Sequence, residues 1–487
     1  MNVQPSITPA KGVFINNRWQ PGASGETIPV VAPADGEVFA SIAAGNAADV
    51  EAAVKAARAA VEGGAWSKLS ATERGRLLSK LSVVIADHAE ELARLEARDT
   101  GKPMRQARND MIVTARYFEY YGGAADKVHG DTVPFLPGYF VTTEHVPYGV
   151  TAHVIPWNYP AQMFGRTVAP ALAMGNACVL KPAEDACLTP LRIAELAAEI
   201  GLPEGALNIV PGLGEEAGAA LSSHPDIDFI SFTGSPEVGS LIQTAAAKNH
   251  IGCTLELGGK VAHVVFGDAD VDFAATTIAV TMVQNAGQTC SAGSRVLVEK
   301  SAYDRVVTAL ADRFTKLVAG TPEMDRDLGP VINATQKKRI ESFFSRAEGT
   351  SVPILAQGQI AEGVPEGGFF VAPRIYGPVP RANELAQREV FGPVLSVLPF
   401  EDEADALRLA NGTDYGLMAA VWSLDGNRAV RVSRGIKAGQ VYINSFGAGG
   451  GVELPFGGMK KSGHGREKGF AALHDVSQLR TTIFKHG

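Results

Sequence analysis

Ala152-His153-Val154-Ile155 and Ala177-Cys178-Val179-Leu180 are short, nearly unbroken apolar runs, and they decide the fold class. A strand with one wet face alternates apolar and polar residues, whereas a strand covered on both faces by helices does not. The same texture recurs at residues 207–210, 229–232 and 263–265, with helical stretches near 190–200, 215–221 and 236–247 between them. This strand–helix alternation predicts an α/β protein with a doubly wound parallel sheet. A second alternating set begins after Lys260 and includes 295–299, 394–398, 419–422 and 440–443, which predicts a second α/β domain.

Upstream of Val150 the pattern changes period. Val50, Val54, Ala57 and Val61 recur at helical spacing. Ser70-Ala71-Thr72-Glu73 has the form of a capping box, opening a helix that carries Leu77, Leu81, Val84 and Ile85, and a partner helix runs on through Leu92 and Leu95. A further helix is expected over 104–121, so this part reads as mostly helical. Residues 132–146 are rich in Pro, β-branched and aromatic residues, as in a hairpin or extended arm. Residues 478–484 look strand-like, suited to pair with that arm or with another subunit. The expected partition is 1–126 with 148–257, then 258–458, with an arm made of 127–147 and 472–487.

Bulk properties narrow the function classes. At 487 residues the chain needs two or three cores. A 46% hydrophobic, 20% charged composition is that of a soluble globular protein, and a net charge of −8 with mixed signs offers no footprint for nucleic acid or an anionic membrane. No run approaches a membrane span, and Met1-Asn2-Val3-Gln4-Pro5 lacks the charged and apolar regions of a secretory signal. Cys178, Cys187, Cys253 and Cys290 form no CxxC pair, so no disulfide framework and no metal site is expected, and free thiols suit the cytoplasm. Neither HExxH nor GxSxG occurs, which argues against metallo- and serine hydrolysis.

Three groups of residues carry chemistry. Gly212-Leu213-Gly214-Glu215-Glu216-Ala217-Gly218 is a near miss to the dinucleotide fingerprint. Phe232-Thr233-Gly234-Ser235-Pro236-Glu237-Val238-Gly239 forms another strand–turn–helix, where free N–H groups at the helix start can face an anion and Ser235 can add a hydroxyl. Cys290 lies among Ala286, Gly287, Ser291, Ala292 and Gly293, small residues that leave a thiol reachable from two sides, while Cys178, Cys187 and Cys253 read as structural. A cysteine with a pKa of about 8.5 is mostly thiol at neutral pH and needs a base, and Glu256 is the carboxylate that can take its proton or that of water. Plain alternatives stand beside these readings. Glu256 could pair with Lys260, which otherwise supports the Gly258-Gly259 turn; Asn158 could be a turn residue, Phe391 core, and Lys181 with Glu184 a solvated pair at a helix start.

Gly287-Gln288-Thr289-Cys290-Ser291, Leu255-Glu256-Leu257-Gly258-Gly259-Lys260, Phe232-Thr233-Gly234-Ser235 and Pro156-Trp157-Asn158-Tyr159-Pro160 together resemble the aldehyde dehydrogenase superfamily, over about residues 12–485. Gly439–Asn444, Pro455-Phe456-Gly457-Gly458 and Ser462-Gly463 fit the same family. The resemblance implies NAD-dependent oxidation of an aldehyde through a thioester on Cys290. It places Asn158 and the Cys290 N–H on the oxyanion and Glu256 on the hydrolytic water, and it puts Lys181 in the catalytic set as well as on the cofactor. It implies cofactor contacts from Ile155, Pro156, Trp157, Lys181, Glu184, Gly214, Phe232, Thr233, Gly234, Ser235, Val238, Leu257, Glu389 and Phe391. Lys181 and Glu184 would hold the adenosine ribose; a carboxylate there accepts two hydroxyls but repels a 2′-phosphate, so NAD is favoured over NADP. Glutamate at 256 also speaks against coenzyme A-acylating relatives, which generally lack it.

The chain departs from the family pattern at Phe164-Gly165-Arg166, where many relatives carry an aromatic–lysine pair, at Phe446, often tyrosine, and at Arg480, commonly lysine. Tyr159, Met163, Phe164, Thr289, Ser291 and Phe446, with Glu453 near the mouth, are the implied substrate tunnel. That lining is mostly apolar, with little positive charge apart from Arg166. It suggests an uncharged aliphatic or aromatic aldehyde. The alternatives are an amino- or betaine-type aldehyde, a coenzyme A-acylating semialdehyde dehydrogenase, or a catalytically silent relative. A homodimer or homotetramer built on the arm is expected.

Overall fold

The alternating runs close into two parallel sheets in the computed structural model, which describes residues 12–447 and 451–486. Among the described residues the first sheet has eight strands. Its parallel centre is Leu207–Ile209, Ala177–Pro182, Val150–Ile155, Phe229–Thr233 and Gly252–Glu256, in that spatial order. Every residue of Val150–Ile155 and of Ala177–Pro182 is buried, as near-continuous apolar runs require. Antiparallel strands Val13–Ile15 and Gly463–His464 pair with the two sides of this core.

The second sheet has seven strands, with Ala262–Val265 parallel to both Arg295–Glu299 and Met418–Trp422. The 263–265 run, expected in the first set, therefore belongs to the second sheet. Periodicity reports burial on both faces but not which sheet receives the strand, and the Gly258-Gly259 turn carries the chain across.

Helix signals hold where their chemistry is local. Ser70 and Glu73 form the reciprocal capping box of the helix Ala71–Asp87, with the Ser70 N–H donating to Glu73 at 2.8 Å. The partner helix expected through Leu92 and Leu95 is Ala89–Thr100, which follows directly after His88. The 215–221 stretch is a π turn, Gly214–Gly218, followed by the short helix Ala219–Ser222. The leading part is not purely helical either, since Thr27–Val31 pairs with Val38–Ala43.

The strand Tyr139–Pro147 is one side of a short local hairpin, with the Val133 N–H donating to the Val141 carbonyl at 2.9 Å and the Thr143 N–H to the Asp131 carbonyl at 2.8 Å. It pairs antiparallel with Ser477–Lys485 from the far end of the chain, and Arg480 bonds Glu144 at 2.6 Å across the ribbon. Phe140, Leu479, Ile483 and Phe484 on this ribbon are exposed. No described helix is long and apolar enough to cross a membrane, and among the described residues no cluster of three metal-ligating side chains occurs. The Met1–Pro5 stretch lies outside the described residues.

Candidate active site

From Val150–Ile155 the chain winds outward through Ala177–Pro182 and Leu207–Ile209, then returns to place Phe229–Thr233 on the other flank of Val150–Ile155. In an open α/β sheet the crevice beyond the carboxyl ends of two such strands is where ligands bind. Ile155-Pro156-Trp157-Asn158 leave one strand here and Thr233-Gly234-Ser235 leave the other. Gly234 has a local reason: a Cβ there would meet the Phe232 ring at 2.4 Å. Ser235 caps the helix Pro236–Lys248 by accepting from the Val238 N–H at 3.3 Å, while Val238 is exposed. Leu257 is buried against Gly239.

Lys181 ends its strand and bonds Glu184 at 2.7 Å. The pair is not a solvated helix start: Lys181 is buried, and only Glu184 reaches solvent. Gly218, in the turn that begins at Gly214, lies against the Lys181 side chain. At the other end of the crevice Phe391 adopts φ +58° and meets the Trp157 ring edge-on at 5.6 Å. Glu389 accepts from the Gly259 N–H at 3.0 Å, and burial pushes its carboxyl up to about 7.

The Cys290 loop is strained and pinned. Asn285, Ala286 and Gly287 have φ of +47°, +54° and +74° in succession. Two non-glycine residues in the left-handed region cost about 1–3 kcal/mol each and persist only where the surroundings impose them. Here the Asn285 amide donates to the Asn158 carbonyl at 2.7 Å, the Asn158 amide donates to the Gln288 carbonyl at 2.9 Å, and Gln288 accepts from the Ile332 N–H at 2.9 Å. Asn158 is thus tied into the Cys290 loop by hydrogen bonds to Asn285 and Gln288. Burial pushes the Cys290 thiol up to about 12, partly opposed by the Arg166 charge.

Glu256 ends the strand Gly252–Glu256 and does not pair with Lys260. Its carboxylate faces Arg166 at 3.2 Å, with both side chains buried. The Lys260 ammonium is buried with no partner, and burial together with Arg295 pushes it down to about 7. Burial holds the Glu256 carboxyl well above the ordinary range, with Arg166 pulling the other way. A Cβ on Gly457 would sit 2.9 Å from the Glu256 carboxylate, so glycine there leaves the acid its room. Arg166 also pairs with Glu467, which accepts from the Ser231 hydroxyl at 2.9 Å. Burial opposes the Arg166 charge, but Glu467 and Glu256 more than offset that and hold the guanidinium ionised.

A cavity of about 640 Å³ opens onto Cys290. Tyr159, Met163, Thr289, Ser291 and Arg166 line it as expected of a tunnel. Phe164 does not: it is fully buried against Phe118 at 5.9 Å, because it points from the helix Pro160–Met174 into the core. Phe446 is also absent from the lining, packing on His263 at 4.5 Å behind the Cys290 wall. Glu453 is engaged outside by Arg116 at 2.5 Å. The lining is more polar than expected, since Gln162, Asp110, Arg105 and Lys468 contribute to it. Arg166 and Lys468 both lie over the Phe456 ring, at 4.4 and 5.5 Å. Tyr117, Gln162 and Lys468 carried no mark in the sequence; Phe456 lay within the Pro455–Gly458 motif without a role.

Comparison with known proteins agrees with this geometry. A family model described as the aldehyde dehydrogenase family matches residues 19–482. Human retinal dehydrogenase 2 is 40% identical, covering 100% of this chain and 95% of its own length. Among solved structures, a Burkholderia cenocepacia protein provisionally assigned as an aldehyde dehydrogenase is 57% identical, with a TM-score of 0.96 over 98% of this chain and 100% of its own. The NAD+ complex of a Bacillus cereus aldehyde dehydrogenase is 37% identical, with a TM-score of 0.95 over 98% of this chain and 97% of its own.

Proposed function

This chain belongs to the aldehyde dehydrogenase family, and on that premise we propose that it oxidises an aldehyde to the carboxylic acid with NAD through a thioester on Cys290. The observation that carries the proposal is one cavity lined by Cys290 and Arg166, with Asn158 bonded to the Gln288 carbonyl two residues before Cys290 and Glu256 paired with Arg166. When bound, NAD supplies the hydride acceptor. Residues that fit it are Lys181 and the partly exposed Glu184 carboxylate for the ribose, the capped helix start at Ser235 for phosphate, and Glu389 with Phe391 at the far end.

The Cys290 thiol gives its proton to Glu256 as sulfur bonds the carbonyl carbon. The resulting oxyanion takes hydrogen bonds from the Asn158 amide and the Cys290 N–H. Loss of hydride from that carbon leaves the thioester. Glu256 gives the thiol proton up to solvent and then takes one from water as hydroxide adds to the thioester; the C–S bond breaks and Glu256 returns its proton to the leaving sulfur, releasing the acid and the thiol. Arg166 holds Glu256 in place and favours both its carboxylate and the Cys290 thiolate.

Tyr117, Tyr159, Phe456 and Met163 support an uncharged aliphatic or aromatic aldehyde as the substrate. The charge of Arg166 is spent on Glu256 and Glu467. The amino-aldehyde alternative depended on Glu453 facing inward; with Glu453 on Arg116 and three cations, Arg105, Arg166 and Lys468, on the wall, it is the weaker reading. The reading extends to the 1–126/148–257 and 258–458 partition, to a dimer or tetramer through the exposed apolar side chains of the arm ribbon, and to a reducing cytoplasm in keeping with four free cysteines. Cys290→Ser is expected to lose NADH production from aldehyde, and free acid rather than acyl-coenzyme A is the expected product of the native protein. Unchanged turnover in the serine variant overturns the mechanism.

A further inference from the structure

Behind the cavity wall lies a buried charge cluster that the proposed chemistry does not use. Lys102 follows Gly101, the left-handed cap of the helix Ala89–Thr100, and is fully buried. Its ammonium meets Asp110 at 2.5 Å and Glu96 at 3.3 Å. Asp99 is buried close by and accepts from the Leu188 N–H at 2.9 Å. Burial holds the carboxyls of Glu96, Asp99 and Asp110 above their ordinary range. Taking one cation and three acids out of water costs more than packed apolar side chains of similar volume would. Stability therefore does not explain the cluster.

Its connections run toward the nucleophile. The Lys102 ammonium stands 4.0 Å from the centre of the Tyr159 ring. The Tyr159 hydroxyl shares a hydrogen bond of 2.8 Å with the Thr289 hydroxyl, and Thr289 immediately precedes Cys290. The other oxygen of Asp110 accepts from the Gln162 amide at 2.6 Å, and Asp110, Gln162 and Tyr159 all line the substrate cavity. A desolvated cation over an aromatic face holds the ring by its quadrupole.

We propose that Lys102 is a positioning residue for the reaction at Cys290: its ammonium, clamped by Asp110 and Glu96, fixes the Tyr159 ring, and the Tyr159 hydroxyl fixes Thr289 and hence the Cys290 sulfur and N–H. The proposal rests on the reading of Cys290 as the nucleophile. Displacement of a reacting group by about 1 Å costs on the order of a hundredfold in rate, so the effect falls on kcat rather than on KM.

The test is a cycle of Lys102→Met, Tyr159→Phe and the double variant, each assayed for kcat and KM on an aldehyde substrate and for thermal melting. Lys102→Met is expected to lower kcat by about a hundredfold with little change in KM. In the Tyr159→Phe background the same substitution is expected to cost no more than about threefold further, because the route to Thr289 is already cut. A folded Lys102→Met protein with native kcat, or equal losses in both backgrounds, overturns the proposal. Should Lys102→Met not fold, Tyr159→Phe decides: native kcat in that variant overturns the proposal. Failure of the nucleophile reading shows differently, as unchanged turnover in Cys290→Ser.

Discussion

Arg166→Met removes the only cation paired with Glu256 among the described residues. The two groups stand 3.2 Å apart with side chains 5% and 2% exposed. Opposite unit charges at that separation attract by about 5 kcal/mol at an effective dielectric of about 20. Rearrangement on mutation leaves a smaller net effect, about 1.4–4 kcal/mol on the ionised form of a carboxyl that loses such a partner. The sign follows from burial, which already holds Glu256 above the ordinary range. Without Arg166 the carboxyl moves further up, less of it is ionised at neutral pH, and the rising limb of the kcat–pH profile moves to higher pH. At pH 7 the expected loss in steady-state rate is about tenfold to a thousandfold. Glu256 acts as base toward both the Cys290 thiol and water, so rapid mixing should show the first turnover of NADH slowed along with the steady rate. Arg166→Lys keeps a charge and should recover part of the rate. A methionine variant whose kcat–pH profile superimposes on the native one would refute the assignment of Arg166 to Glu256. Because orphaning a buried charge costs about 3–5 kcal/mol, melting must be followed alongside to separate unfolding from lost chemistry.

Three further outcomes are expected. Asn158→Ala should lower kcat by about a hundredfold to a thousandfold, from loss of an oxyanion donor, and stopped-flow NADH formation will measure it. Glu184→Gln removes the carboxylate that repels a 2′-phosphate, so the ratio of kcat/KM for NAD to that for NADP should fall; an unchanged ratio places specificity elsewhere. Lys260→Met should raise the melting temperature at pH 7. The Lys260 amine drops from 10.5 to about 7 on burial, so the unfolded chain binds the extra proton between those values and native stability rises with pH across that window. The gain from methionine should therefore shrink between pH 7 and pH 10, and a gain independent of pH counts against a buried, strained amine.

Much of the architecture was legible because its causes are local. The capping box at Ser70 and Glu73 and the two-face burial of Val150–Ile155 depend on residues a few positions apart. So does the break at Gly234, where only a missing Cβ clears Phe232. Phe164 and Phe446 misled because an aromatic side chain near a motif can point to core or cavity, and helix rotation settles which. The sheet that takes Ala262–Val265 was harder to read for a similar reason: apolar pattern records that a face is covered, not by what.

The amino-acid order alone determined that this is an α/β chain with two wound sheets, and its resemblance to a known family pointed to a cysteine, a glutamate and an asparagine as the chemical candidates. Tertiary structure alone decided what surrounds them: Arg166 between Glu256 and Glu467, Lys102 beneath Tyr159, and Lys260 left without a partner. Backbone propensity and capping act over a few residues. The free energy of a buried charge depends instead on which groups the fold brings within a few ångströms, and those groups lie far apart along the chain.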